Sequence, residues 1–337
     1  MRTHKHNSMK HNSTVSAAPA LSRLDHRGLG PWAWPLLAAL AALPPLLTAL
    51  GLEFYTGVAS RALIFVIAAS SLNLILGFGG MVSFGHAAFV GLGAYTVGIL
   101  MDAGISSAWI AWPAAMLVSG LAAGLIGAIS LRTRGVYFIM ITLAFAQMFY
   151  YLAVSLKAYG GEDGLPLVQR SQLSGLVNLQ NDAQMYWLLL ALAAAVMWGL
   201  QRLINSPFGH LLQGIKENEA RMHALGARVF ALQWQAFVLA GVIAGLAGAR
   251  LANLSGLVTP HTLHWSQSGQ LMIMVIIGGA GALWGGALGA VVLLLLEELL
   301  SGYTLHWQMA LGLLLLAVVM LAPQGLAGLA ARWRARA

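Results

Sequence analysis

Residues 71–100 read SLNLILGFGGMVSFGHAAFVGLGAYTVGIL. Two apolar runs, near residues 60–77 and 84–101, meet here at a glycine-rich joint from Gly77 to Gly85. Each run approaches the roughly 20 apolar residues that cross a hydrocarbon core of about 30 Å as a helix. The stretch therefore reads as two membrane spans, joined by a cytoplasmic turn or by helices broken inside the membrane. Gly278 to Gly286 offers the same choice further along.

Working outward, apolar stretches recur near residues 32–51, 108–131, 135–156, 185–204, 233–254, 268–282, 284–300 and 304–322. The composition agrees: 59% of the 337 residues are hydrophobic and 8% charged, against about 25% charged in soluble domains. So few charges cannot clothe a water-facing surface. The net charge of +8 is spread between the apolar runs rather than gathered in a stripe with aromatics, which excludes a nucleic-acid-binding reading. With no cysteine, thiol catalysis, disulfides and cysteine-bound metal are excluded as well.

The basic residues set an orientation. Placing residues 1–30, a tail with His4, Lys5, His6, Lys10, His11, Arg23 and Arg27, on the inside puts other basic segments there too. These are Arg132 and Arg134, the loop with Arg202, Lys216, Arg221 and Arg228, and the terminal Arg332, Arg334 and Arg336, as the positive-inside rule requires. Glu53, Asp102 and the stretch from Lys157 to Gln184 then face outward. The run from about Trp32 to Leu52 exceeds a signal-peptide core and is read as the first span. The tail histidines lack a metal-ligand spacing, so no metal site is assigned. The expected fold is an all-α polytopic membrane protein with about ten transmembrane helices and both termini cytoplasmic. A disordered tail (1–30) precedes a membrane domain (31–325) containing a cytoplasmic loop (205–232), and a basic tail (326–337) follows.

Small residues mark the packing faces. Gly120, Gly124 and Gly127, and Gly241, Gly245 and Gly248, recur at spacings of three and four, which allows helix backbones to approach closely in lipid. The loop Ser206-Pro207-Phe208-Gly209 followed by HLLQGIKENEARMHALGARVFALQ carries helix signals: Ser206 at a cap position, Pro207 to open, good helix formers to Ala224, and Gly226 to end. A short amphipathic helix lying on lipid headgroups or in a partner's groove fits it. His86 is ionisable at membrane depth, which marks a functional hypothesis against the plainer reading of a packed, hydrogen-bonded histidine. Asn73 and Ser83 flank the same joint, where broken helix ends would offer N–H and C=O groups to a zwitterion. Arg250, Glu297 and Glu298 come near the outer ends of their spans. Snorkelling is the expectation there, with docking of a delivery protein as the alternative.

GIKENEARMHALG (214–226) resembles the cytoplasmic coupling loop of ABC importer permeases, with Glu219, Ala220 and Gly226 matching and Arg221 departing from a second alanine. Residues 71–100 resemble the signature of branched-chain amino-acid permeases of the LivM type. LRTRGVYFIMITLAFAQ (131–147), SPFGHLLQGIKENEARMHALG (206–226) and IIGGAGALWGGALGA (276–290) are similar too, in the family's order across spans two to nine. Met81 stands where the family often has glutamine.

The resemblance implies one of two permease subunits of a bacterial inner-membrane importer for hydrophobic amino acids. A periplasmic binding protein would feed it and two cytoplasmic ATPases would drive it. It implies coupling roles for Glu217, Glu219, Ala220 and Gly226, while the residues of the joint themselves suggest a substrate path by Asn73, Ser83 and His86. No cofactor is expected in this chain and ATP would be bound by the partners. None of Lys5, Lys10, Lys157 and Lys216 sits in a phosphate-binding glycine loop. Related importers of urea or amides stand as the alternative. A secondary transporter would need carboxylates within its spans, and a channel would conduct without the ATPases. The sequence holds no catalytic cluster and is read as a non-enzyme.

Overall fold

The computed structural model describes residues 33–167, 169–173, 179–303, 306–321 and 325–328; the expected 1–30 tail lies outside them. Thirteen α-helices carry nearly all the described structure. They are α1 (Ala33–Ala41), α2 (Leu43–Ala49), α3 (Phe54–Asn73), α4 (His86–Asp102), α5 (Ala108–Ser130), α6 (Val136–Ser155), α7 (Asp182–Ile204), α8 (Pro207–Glu217), α9 (Glu219–Ala224), α10 (Val229–Ser255), α11 (Trp265–Gly278), α12 (Gly285–Tyr303) and α13 (Trp307–Leu321). A π-helical turn, Leu74–Phe78, extends α3. Two short strands, β1 (Leu165–Pro166) and β2 (Leu257–Val258), pair antiparallel.

Among the described residues, six helices are long and apolar enough to cross a membrane: α3 with its π turn, α5, α6, α7, α10 and α12. The chain is thus an all-α polytopic membrane protein. The other apolar runs give shorter helices. Pro44 and Pro45 open α2 after a turn at Ala42 and divide the first run in two, because proline is tolerated only in a helix's first turn. α3 starts six residues before the expected run, and Arg61, inside it, turns outward with its guanidinium 5.7 Å from the Phe65 ring.

α3 is the hub. Most of its span is buried, and it packs against α7, α10, α11 and α12. α10 forms the second axis, packed against α5, α4 and α3. Its glycines lie where expected, facing protein: a Cβ on Gly241 would collide with Ala123, one on Gly245 with the Ser119 side chain, and one on Gly248 with the Val90 carbonyl. Gly120, Gly124 and Gly127 of α5 face Val242, Trp234 and Phe237 of the same helix. Helix association in lipid rests on such close approach.

The glycine-rich joints are irregular, mostly buried backbone. α11 has 14 residues, about 21 Å at about 1.5 Å per residue, against a core of about 30 Å. It is too short to span alone, and residues 325–328 pack beside its joint with α12, Gly325 against Gly279. Non-helical backbone inside a membrane is tolerated where protein buries it and satisfies its polar groups.

Candidate functional site

The two joints are fastened to each other by one side chain. Asn73, 2% exposed, closes α3; its Nδ2 donates to the Ala282 carbonyl at 2.8 Å and its Oδ1 accepts from the Gly281 N–H at 3.0 Å. Glycine is required at two points of this clasp. A Cβ on Gly77 would overlap Asn73 Oδ1 and the Gly281 nitrogen, and Gly281 has φ +87°, a region costly to other residues.

A third element holds the same place. In the π turn, Gly79 N–H donates to Leu74 O and Met81 N–H to Ile75 O, and the Gly77 carbonyl accepts from Lys216 Nζ of α8 at 2.6 Å. The Lys216 stem lies on Gly80, which has φ +69° and whose Cβ would sit 2.9 Å from Lys216 Cγ. Lys216 thus ties the helices of the 205–232 loop to the joint. The sequence reading missed it. A lone lysine amid GIKENE gives no sign of a carbonyl 139 positions away.

Ser83 and His86 are fully buried. Ser83 Oγ accepts from the Gly85 N–H at 3.2 Å just before α4. His86 opens α4, and its Nε2 lies 2.8 Å from Ser71 Oγ. That hydroxyl already donates to the Ala68 carbonyl, so Nε2 is the donor and Nδ1 is left as an acceptor without a partner. Asn73 and His86 therefore bind the joint's flanks to their surroundings, and Ser83 closes the joint on itself.

The loop folds as two helices. Ser206 has the extended backbone of an N-cap but spends its hydroxyl on Leu203 O, and Pro207 opens α8. Gly209, Leu212 and Ile215 face inward. Asn218 breaks the run and caps α9, its Oδ1 accepting from the Arg221 N–H at 2.8 Å. Gly226 ends it at φ +82°. Glu219 accepts from Arg134 at 2.8 Å and lies 3.7 Å from His223. Glu217, Ala220 and Gly226 are exposed, with Leu225 beside them 74% exposed. Between this unit, the residues 79–82, the 131–135 turn and the start of α10 opens a cavity of about 670 Å³. Arg132, Arg134, Lys216, Glu219 and His223 are among its lining residues.

Arg250 does not snorkel. It is wholly buried because it projects between helices, where its guanidinium carbon lies 3.2 Å from the Trp112 ring centroid. Glu297 accepts from Gln270 at 3.3 Å.

Stacked apolar helices, irregular joints buried at their centre and a paired-helix unit fastened to those joints define a membrane transport permease. The chain belongs to the branched-chain amino acid transport system permease component family, whose model matches residues 54–322. It is similar to the high-affinity branched-chain amino acid transport system permease protein LivM of Salmonella typhimurium, at 26% identity over 80% of this chain and 69% of that one. The Escherichia coli LivM protein matches to the same extent. An autoinducer 2 import system permease protein, LsrC of Yersinia pseudotuberculosis, is 27% identical over 74% of this chain and 70% of its own. No solved structure matches the chain.

Proposed function

We propose that this chain is the permease subunit of an ABC importer for branched-chain, hydrophobic amino acids in a bacterial inner membrane. It would cross the membrane about ten times with both termini cytoplasmic, pair with a second permease subunit and receive solute from a periplasmic binding protein. Two cytoplasmic ATPases, which bind the ATP, would drive it. The observation that carries the mechanism is the Lys216 bond to the Gly77 carbonyl. ATPase closure displaces α8 and α9 through the exposed face at Glu217, Ala220, Leu225 and Gly226. Lys216 passes the displacement to the first joint and Asn73 passes it to the second. The joints rearrange and the passage beside them alternates between its two openings. The solute assignment follows the names of the LivM relatives.

The test is co-purification of the tagged chain with its partners, followed by ATP hydrolysis and leucine uptake in proteoliposomes with binding protein. Recovery of two ATPases and a second permease with leucine-stimulated hydrolysis upholds the reading, and a single-chain protein with ATP-independent flux overturns it. A different solute is the second reading, favoured by the LsrC relatives. A complete complex that hydrolyses ATP but ignores leucine, isoleucine and valine would select it.

A further inference from the structure

We propose that Arg250 is the receiving site for a carboxylate at the outward end of the passage, next to the point where α10 is bonded to the 169–173 segment. Arg250 is five residues before the end of α10 at Ser255, about 7.5 Å inside that end. Its Nε, Nη1 and Nη2 are buried without a hydrogen-bond partner, and among the described residues no carboxylate pairs with it. A guanidinium has five donors and no acceptor. Burying one unpaired is strongly unfavourable, and at membrane depth such a group faces a partner or a pathway. The Trp112 ring beneath it supports the cation from one face and leaves the in-plane N–H donors free. Those donors match a carboxylate edge.

The surroundings add donors rather than acids. Trp112 Nε1, the Tyr95 hydroxyl and the Ser171 hydroxyl are also buried without partners. Tyr95 belongs to the small apolar cluster on which Trp112 packs. The 169–173 segment is latched to the same helix: Ser171 N–H donates to Asn253 Oδ1 at 2.7 Å, one turn beyond Arg250. Ala108 N–H donates to the Gln172 carbonyl at 2.9 Å, and β1 pairs with β2. These bonds hold the 169–173 segment to the end of α10 that carries Arg250. The direction of approach and the amino-acid substrate rest on the function proposed above. The site itself selects a carboxylate-bearing solute over urea or an amide.

The test uses the assembled permease–ATPase complex with Arg250→Met and Arg250→Lys. Isovalerate is expected to raise the melting temperature of the wild-type complex, isovaleramide is not, and neither is expected to act on R250M. R250M should also cut leucine uptake by about thirty-fold or more, as truncating one partner of a buried charge pair does. The ligand-free melting temperature should not fall. Equal effects of isovalerate and isovaleramide on the wild type, wild-type uptake by R250M, or a ligand-free R250M complex melting far below the wild type would each overturn the site. The last would assign Arg250 to packing on Trp112. If R250M does not assemble, R250K decides: a raised KM for leucine uptake upholds the site and an unchanged KM overturns it. If the wild type imports no leucine yet isovalerate still acts through Arg250, the amino-acid reading fails and the carboxylate site stands.

Discussion

Replacing Asn73 tests whether the two joints move as one. Asn73→Leu removes a donor to Ala282 O and an acceptor for Gly281 N–H, while Asn73→Asp keeps the shape and the acceptor and loses the donor. An unsatisfied buried group costs about 1–3 kcal/mol. Gly281 and Ala282 are only partly buried, so the lower half of that range applies and N73L should cost about 2–4 kcal/mol for the pair. If the bond to Asn73 protects the Gly281 amide, its hydrogen exchange should rise by about thirty-fold or more in N73L, the factor equivalent to about 2 kcal/mol. In N73D that amide keeps its acceptor and should stay closer to wild type, while the lost donor at Ala282 loosens the joint and slows uptake. Exchange-mass spectrometry of the 276–290 peptide in the purified complex measures this. Wild-type exchange there in N73L would refute the clasp and with it the coupling of the joints.

Lys216→Met should leave ATP hydrolysis intact and lower leucine uptake per ATP by about fivefold, because an ammonium–carbonyl bond with an exposed head contributes about 1 kcal/mol; paired uptake and hydrolysis assays read the ratio. Nothing lies within 4 Å of a Cβ at Gly226, whose φ is +82°, so Gly226→Asn should function while Gly226→Val, strained by about 1–2 kcal/mol, uncouples hydrolysis from uptake. Glu219→Lys breaks the exposed pair with Arg134 for less than about 1 kcal/mol of stability, yet should uncouple as well, shown by normal complex yield with poor uptake. A Cβ on Gly289 would strike the Met274 carbonyl, whereas Gly57 has open space; Gly289→Ala should collapse the yield of assembled complex on size exclusion and Gly57→Ala should not.

Hydropathy made the spans visible because lipid demands long apolar helices, and it failed where a charge escapes sideways. Arg250, judged by its depth along α10, is turned inward instead of toward the surface. Depth is written in the sequence, but the face a residue occupies is settled by packing. Pro207 and Gly226 act as read, since caps and turn conformations are local, and the cap that Asn218 provides to α9 lies within the quoted loop. The joints were visible as glycine clusters. Their mutual fastening was not, because Asn73 and Ala282 are 209 positions apart and no periodicity links them.

Two of the three residues singled out for a substrate path, Asn73 and Ser83, satisfy broken backbone, while His86 bonds the Ser71 hydroxyl, and the two roles are compatible. Irregular main chain at membrane depth must have its N–H and C=O groups met, and here single side chains do so: Asn73 for the second joint, Lys216 for Gly77 and Ser83 for Gly85. Each such bond contributes about 0.5–3 kcal/mol, the size of the coupling energies that link distant sites in proteins. A regular helix broken at the same point would give up several backbone bonds together. A joint already broken and held by two or three replaceable contacts can instead exchange partners one at a time, so a modest push on α8 would be enough to shift which arrangement is populated. The glycines then serve the exchange in a second way, since chain without Cβ atoms can pass through left-handed conformations that other residues resist.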